Sequence, residues 1–203
     1  MARLTREQSR ALTREKLLTS AGDVVAREGY DGASVERIAD EAGFSKGAFY
    51  SNFASKEDIL LHLLEGNAGN DVRDLTELLQ DLTDPDLVID AIVRWSDARA
   101  AEQKWGIIAI EFLRRAKADG TLTDRERSLF VLQWESIGRL LIAKLFPDAD
   151  PPVSPIDLGG IVLDLTYGGI SSFLEVNTTG GMIRQVLEAL RIAAAADVAQ
   201  EET

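Results

Sequence analysis

Cysteine is absent from the 203-residue chain, which excludes disulfides, thiolate nucleophiles and zinc–thiolate sites together. Histidine occurs once, as His62. One imidazole cannot supply the paired Glu-x-x-His sets of a di-metal carboxylate bundle. His62 also lies in the apolar stretch ILLHLL, where a packed or boundary role is expected. With no glycine-rich nucleotide loop and no Ser-His-Asp set in a supporting context, the chain reads as a non-enzyme without metal or cofactor. No apolar run approaches the roughly 18 residues that span a bilayer. The most apolar stretch, GIIAIEFLRR, is broken by Glu111 and Arg114. The basic start MARLTREQSR is not followed by the apolar segment of a secretory signal. These absences predict a cytoplasmic protein with no membrane partner.

What is present is charge, unevenly placed. The formal net charge is −12, which taken whole argues against a polyanionic partner. Residues 1–60, however, hold 9 Lys/Arg against 10 Asp/Glu, whereas residues 61–203 hold 13 against 24. The acidity belongs to the later part of the chain, and the first 60 residues remain free to meet an anion locally.

Apolar periodicity predicts helices almost throughout. Leu17, Leu18, Ala21, Val24 and Val25 recur at helical spacing and stop at Gly29. Ser34 suits the N-cap of a short helix ending at Gly43, and Ser55 with Asp58 suits the start of KEDILLHLLE. Gly66, Asn67, Gly69 and Asn70 are expected to weaken that helix, and Gly66 and Gly69 could form a hinge. Longer segments follow, beginning at Pro85 and separated by Asp119-Gly120 and by the loop PDADPPVSP, which holds four of the five prolines. No strand pattern or long repeat is evident.

The stretch GFSKGAFYSNFASKE, residues 43–57, gathers four of the thirteen aromatic residues within ten positions. Two short helices joined by a glycine-containing turn make a helix-turn-helix. Val35, Ile38, Ala39, Phe44, Phe49 and Phe53 supply its inner faces, leaving Ser45, Lys46, Gly47, Tyr50 and Ser51 outward. Small hydroxyls, a lysine and a tyrosine suit contact with phosphates or base edges, and a glycine permits close approach of a duplex. A merely solvated face is the alternative reading for Lys46 and Tyr50. Arg3, Arg6, Arg10 and Arg14 would form one basic stripe if the first helix extends over them, again either a phosphate contact or plain surface.

Residues 13–60 resemble the DNA-binding domain of the tetracycline-repressor (TetR) family of bacterial transcription regulators. The resemblance rests on GYDGASV, IADEAGFSKGAFYSNF and SKEDIL in order, and it covers about the first quarter of the chain. It implies an all-α chain: a three-helix helix-turn-helix domain over residues 1–56, then a larger helical ligand-binding and dimerisation domain over residues 57–203. By position, Ser45, Lys46, Gly47 and Tyr50 would face double-stranded DNA, with Lys56 and the start of the helix at Ser34 near phosphates and Arg37 a further outward candidate. The partners implied are a pseudo-palindromic operator, a second copy of the chain, and a small-molecule effector that releases a repressor. A regulator of the same fold that answers to no ligand, or that binds protein partners, is the alternative.

For the effector, Trp95, Trp105, Phe112, Phe130, Trp134 and Tyr167 are candidate lining residues, although large aromatics also fill cores. Glu111 is expected to face solvent or to pair with Arg114 or Arg115. For the dimer interface, the last two helices offer Gly160, Leu165, Gly168 and Phe173 on one and Val186 and Leu190 on the other.

Overall fold

The computed structural model describes residues 5–102, 104–147, 149–168 and 178–201. Arg3 and Phe173, both singled out above, lie outside the described residues. Among the described residues the secondary structure is nine helices and no strand. The chain divides into two compact units: Met1–Asn67 with Lys104–Thr123, and Ala68–Gln103 with Asp124–Thr203.

In the first unit, α1 (Arg6–Gly32) begins at a reciprocal cap. The Thr5 hydroxyl accepts from the Gln8 backbone N–H at 3.1 Å, and the Gln8 side chain accepts from the Thr5 N–H at 2.9 Å. Its regular part ends where the sequence predicts, at Gly29, whose φ of 73° and ψ of 171° break the helix before a last turn to Gly32. Two short helices follow, α2 (Val35–Glu41) and α3 (Lys46–Tyr50), and then α4 (Lys56–Leu79). The helix α4 runs through Gly66 and Gly69 without interruption, and a Cβ at either would meet nothing within 4 Å among the described residues.

Leu17, Ala21, Val24, Val25, Ile38, Phe49, Phe53, Ile59 and Leu60 are buried, and the Ser20 hydroxyl ties α1 to α2 by donating to the Ile38 carbonyl at 2.8 Å. The helix α6 (Lys104–Ala118) packs on α1 in the same unit. Glu111 corrects the sequence expectation. It is half-buried and, among the described residues, pairs with no neighbouring arginine; its carboxylate accepts from the Tyr30 backbone N–H, just past the break at Gly29. That donor is left without a helical partner by the break, so a carboxylate from another helix satisfies it. Arg115 pairs instead with Asp119 at 2.8 Å and Asp31 at 3.6 Å.

The second unit contains the end of α4, α5 (Pro85–Ala101), α7 (Asp124–Leu145), α8 (Pro155–Gly168) and α9 (Thr179–Glu201). Asp84 caps α5 and Pro85 occupies its first turn, as the sequence suggests. Leu75, Leu79, Val88, Ile89, Ile92, Ile137, Leu141, Leu158, Val162, Ile183 and Leu187 form a continuous apolar core. Here the glycines decide how closely helices meet. A Cβ on Gly138 would stand 1.6 Å from the Pro155 carbonyl oxygen, and one on Gly159 would stand 1.9 Å from that of Trp134. Gly160 lies beneath the Trp134 ring, 3.2 Å from where its Cβ would be. The flat patch expected to receive a second chain at Gly160 is therefore used within the chain, to bring α8 against α7.

Candidate nucleic-acid interface

The turn between α2 and α3 is built by local chemistry. The Ser34 hydroxyl accepts from the Arg37 N–H at 3.1 Å to start α2, and the Ser45 hydroxyl accepts from the Ala48 N–H at 3.2 Å to start α3. Between them Gly43 takes φ 77°, a left-handed conformation that lets the Phe44 N–H reach back to the Ala39 carbonyl at 2.9 Å. Phe49 and Phe53 are buried and pack against each other, with ring centroids 5.8 Å apart. Phe44 departs from expectation. It is half-buried, because it belongs to the turn and not to the inner face of either helix.

Burial of Phe49 and Phe53 turns the opposite side of α3 to solvent. Ser45, Lys46, Gly47, Tyr50 and Ser51 are all exposed, Tyr50 to 52% with its ring edge-on to Phe49 at 5.5 Å. Among the described residues a Cβ at Gly47 would meet only the Ser45 Oγ, at 3.7 Å, so none of them demands glycine there.

The arginine stripe has a role that its spacing did not disclose. Arg14 donates to the Asn52 carbonyl at 2.8 Å and stands 4.2 Å over the Phe53 ring, and Arg10 reaches the Ser51 carbonyl at 3.4 Å. These two cations hold carbonyls at the C-terminal end of α3, where the backbone has run out of helical donors.

Arg27, Arg37 and Lys46 are each paired with a carboxylate. Arg37 donates to Glu28 at 2.9 Å, and Arg27 bridges Glu28 at 3.0 Å and Glu41 at 2.5 Å. The hydrogen bonds from Arg37, and then from Arg27, hold the Glu28 carboxyl below its ordinary range. Lys46 is hydrogen-bonded to Glu36, which lowers the Glu36 carboxyl and raises the Lys46 ammonium. Lys56 folds back, donating to the Tyr30 carbonyl at 2.7 Å with its ammonium 3.9 Å over the Tyr30 ring, and burial pushes its pKa down. Glu36 escaped the sequence reading because its partner is ten residues away on another helix. His62 takes the boundary role expected of it, its Nδ1 2.8 Å from the Asp58 carbonyl and its ring against Phe53. Among the described residues no cluster of three or more His, Asp or Glu could hold a metal ion.

The six aromatic candidates for an effector site are not brought together as one set. Trp105 and the buried Phe112 lie in the first unit, and Trp95, Phe130, Trp134 and Tyr167 lie in the second. In the second unit Tyr167 donates to the buried Asp71 at 2.8 Å, Gln133 donates to it at 3.0 Å, and Arg99 stands 3.2 Å away. Burial pushes the Asp71 carboxyl up to about 6, against the opposing pull of these donors. The indole N–H of Trp95 is buried and finds no hydrogen-bond partner among the described residues. A shallow cleft of about 240 Å3, lined by Leu145, Phe146, Ala149, Arg191 and Ala194 among others, includes none of the six. Of the dimer candidates, Leu165, Val186 and Leu190 are half-buried, and Gly168 is exposed.

Comparison with known proteins locates the same segment. Residues 17–63 match the family model described as bacterial regulatory proteins, tetR family. A 56-residue stretch is 46% identical to an HTH-type transcriptional regulator, YwcC, of Bacillus subtilis, covering 28% of this chain and only a quarter (25%) of that relative's length. Among solved structures, the fatty acid degradation regulator FadR of Bacillus halodurans aligns over 88% of this chain and 94% of its own, with a TM-score of 0.69 and 20% identity. FadR of Bacillus subtilis, in complex with stearoyl-CoA, aligns over 87% and 96%, with a TM-score of 0.63 and 17% identity. At these identities the structural likenesses establish a shared fold.

Proposed function

From the premise that the chain is a transcriptional regulator of the tetR family, carried by the match over residues 17–63, we propose that it is a dimeric, ligand-responsive repressor. The observation that carries this reading is the outward row Ser45, Lys46, Gly47 and Tyr50, held in place by the buried Phe49 and Phe53. In this reading residues 1–56 are the DNA-binding domain and residues 57–203 bind the effector and the second copy.

The α3 helix enters the major groove. Ser45 and Tyr50 offer hydroxyls to base edges or phosphates, and Gly47 lets the backbone come close to the duplex. Ser34 and Arg37 lie toward the phosphates, and Lys56 orders the start of α4 beneath them. Two copies place their α3 helices about 34–36 Å apart, reading successive major grooves of a pseudo-palindromic operator. Dimerisation uses the parts of α8 and α9 that remain at the surface, where Ile161, Gly168 and Ile192 are exposed, Ile192 to 71%. A small molecule held in the second domain, in the company of Trp95, Trp134 and Tyr167, favours a spacing of the α3 helices that the operator does not fit, with a coupling of about 1–3 kcal/mol. The complex of the B. subtilis FadR with stearoyl-CoA supports an effector of this general kind for the fold. Such a regulator works in the cytoplasm.

Selection of binding sites from random duplexes by the purified full chain tests this reading. The expected result is a palindromic motif with affinity that falls as salt rises. A random pool with no enrichment would refute it.

A further inference from the structure

The Glu36–Lys46 pair is placed where a carboxylate is least expected. Glu36 lies in the first turn of α2 and Lys46 opens α3, and the two head groups are hydrogen-bonded across the turn on the surface that carries Ser45 and Tyr50. Both side chains stay more than half exposed, at 56% and 51%, even while paired. An exposed ion pair contributes little to stability, so stability does not account for it. A carboxylate facing a duplex would repel phosphates unless neutralised, and Lys46 neutralises it. The pair as a whole then adds little to phosphate attraction. What it does present is a donor beside an acceptor.

We propose that Glu36 and Lys46 act as one unit that reads a single G·C base pair in the major groove. The inference rests on the DNA-binding role of this surface given above. In the major groove a G·C pair offers the guanine O6 acceptor next to the cytosine N4 donor, themselves hydrogen-bonded at about 2.9 Å. An ammonium bonded to a carboxylate is the complement of that edge. Lys46 donates to guanine O6 or N7, and Glu36 accepts from cytosine N4. The contact between the two side chains is retained and runs parallel to the contact between the two bases. The ammonium has three N–H groups and the carboxylate has two oxygens, so the internal contact leaves both with capacity to spare. C·G and A·T present the donor and acceptor in the reverse order and cannot satisfy both members; T·A offers thymine O4 beside adenine N6 in the same order, and is distinguished by its methyl group where guanine offers N7 to the Lys46 ammonium.

The test repeats binding-site selection with Glu36→Ala, Glu36→Gln and Lys46→Met in the full chain, each checked for wild-type thermal unfolding. Glu36→Ala and Lys46→Met are expected to relax preference at the same base pair of each half-site, by roughly 5- to 150-fold. Their combination should relax it no further than the stronger single change, and the slope of log affinity against log salt should stay unchanged in Glu36→Ala. An unchanged motif in Glu36→Ala, with tighter binding to every duplex and a slope steeper by about 0.9, would overturn the proposal. In that case Glu36 would merely hold Lys46 away from a phosphate. Relaxation at two different base pairs would also overturn it, since the residues would then read separately. Failure of the wild-type chain to select any motif would instead remove the DNA-binding reading on which the inference stands.

Discussion

Two regions of this molecule use glycine in opposite ways. At Gly47 on α3, and at Gly66 and Gly69 on α4, a Cβ would enter open space or touch a single hydroxyl. At Gly138 and Gly159 it would overlap backbone carbonyl oxygens at 1.6 and 1.9 Å. In the sequence these residues look alike, as small interruptions in helical patterns. The second group is demanded by packing inside the chain. Among the described residues nothing demands the first group; for Gly47 the proposed duplex supplies a reason, and for Gly66 and Gly69 a movement or nothing at all.

The difference is open to direct attack, most severely at the close-packed end. Gly138→Ala or Gly159→Ala must force α7 and α8 apart, and a loss of more than about 3 kcal/mol is expected in urea unfolding of the full chain. A loss below about 1 kcal/mol would mean that the helices can separate cheaply.

Asp71 gives a second, pH-dependent probe of the same interior. Its folded-state pKa is raised to about 6 from 3.8. Between those values the folded chain holds a proton that the unfolded chain has lost. This group therefore removes stability as pH rises from about 4 to 6, by about 3 kcal/mol, and adds no further slope above pH 6. Asp71→Asn should lack that fall, and chemical denaturation of both chains across this window measures the difference.

Gly66→Ala and Gly69→Ala meet no obstruction and should each stabilise α4 by about 1 kcal/mol. If effector-induced release from DNA survives both changes together, the two glycines are not a hinge. The smallest effect on stability is expected at Gly47→Ala, a gain of about 0.5 kcal/mol. The same change should weaken operator binding if the duplex approaches Gly47 as proposed. Unaltered DNA affinity would return Gly47 to the class of incidental glycines.

Much of the first unit was legible because its signals are local. Ser34 and Ser55 cap helices through bonds that reach three residues along the chain, and Gly43 and Gly29 mark the backbone conformations they permit. The inward Phe49 and Phe53 follow from a spacing of four. What escaped was tertiary. Glu111 meets the Tyr30 N–H 81 residues away, and Glu36 meets Lys46 across a turn. Gly160 found its neighbour in Trp134 of the same chain, where the sequence suggested a second copy. A pattern along one helix states which face is apolar, but not which surface will cover it. For the same reason the six aromatic residues, alike in type, could not be sorted between the two units from the sequence.

The central claim is that the outward face of α3 binds DNA, and one comparison tests it most directly. Affinity for the selected duplex is measured at fixed salt for the wild-type chain and for Lys46→Ala combined with Tyr50→Ala. Both residues are exposed, so the two proteins should unfold alike. The account predicts that the double variant loses at least about 100-fold in affinity, approaching its binding to unrelated duplexes. Equal affinity of the two proteins for the selected duplex would contradict it.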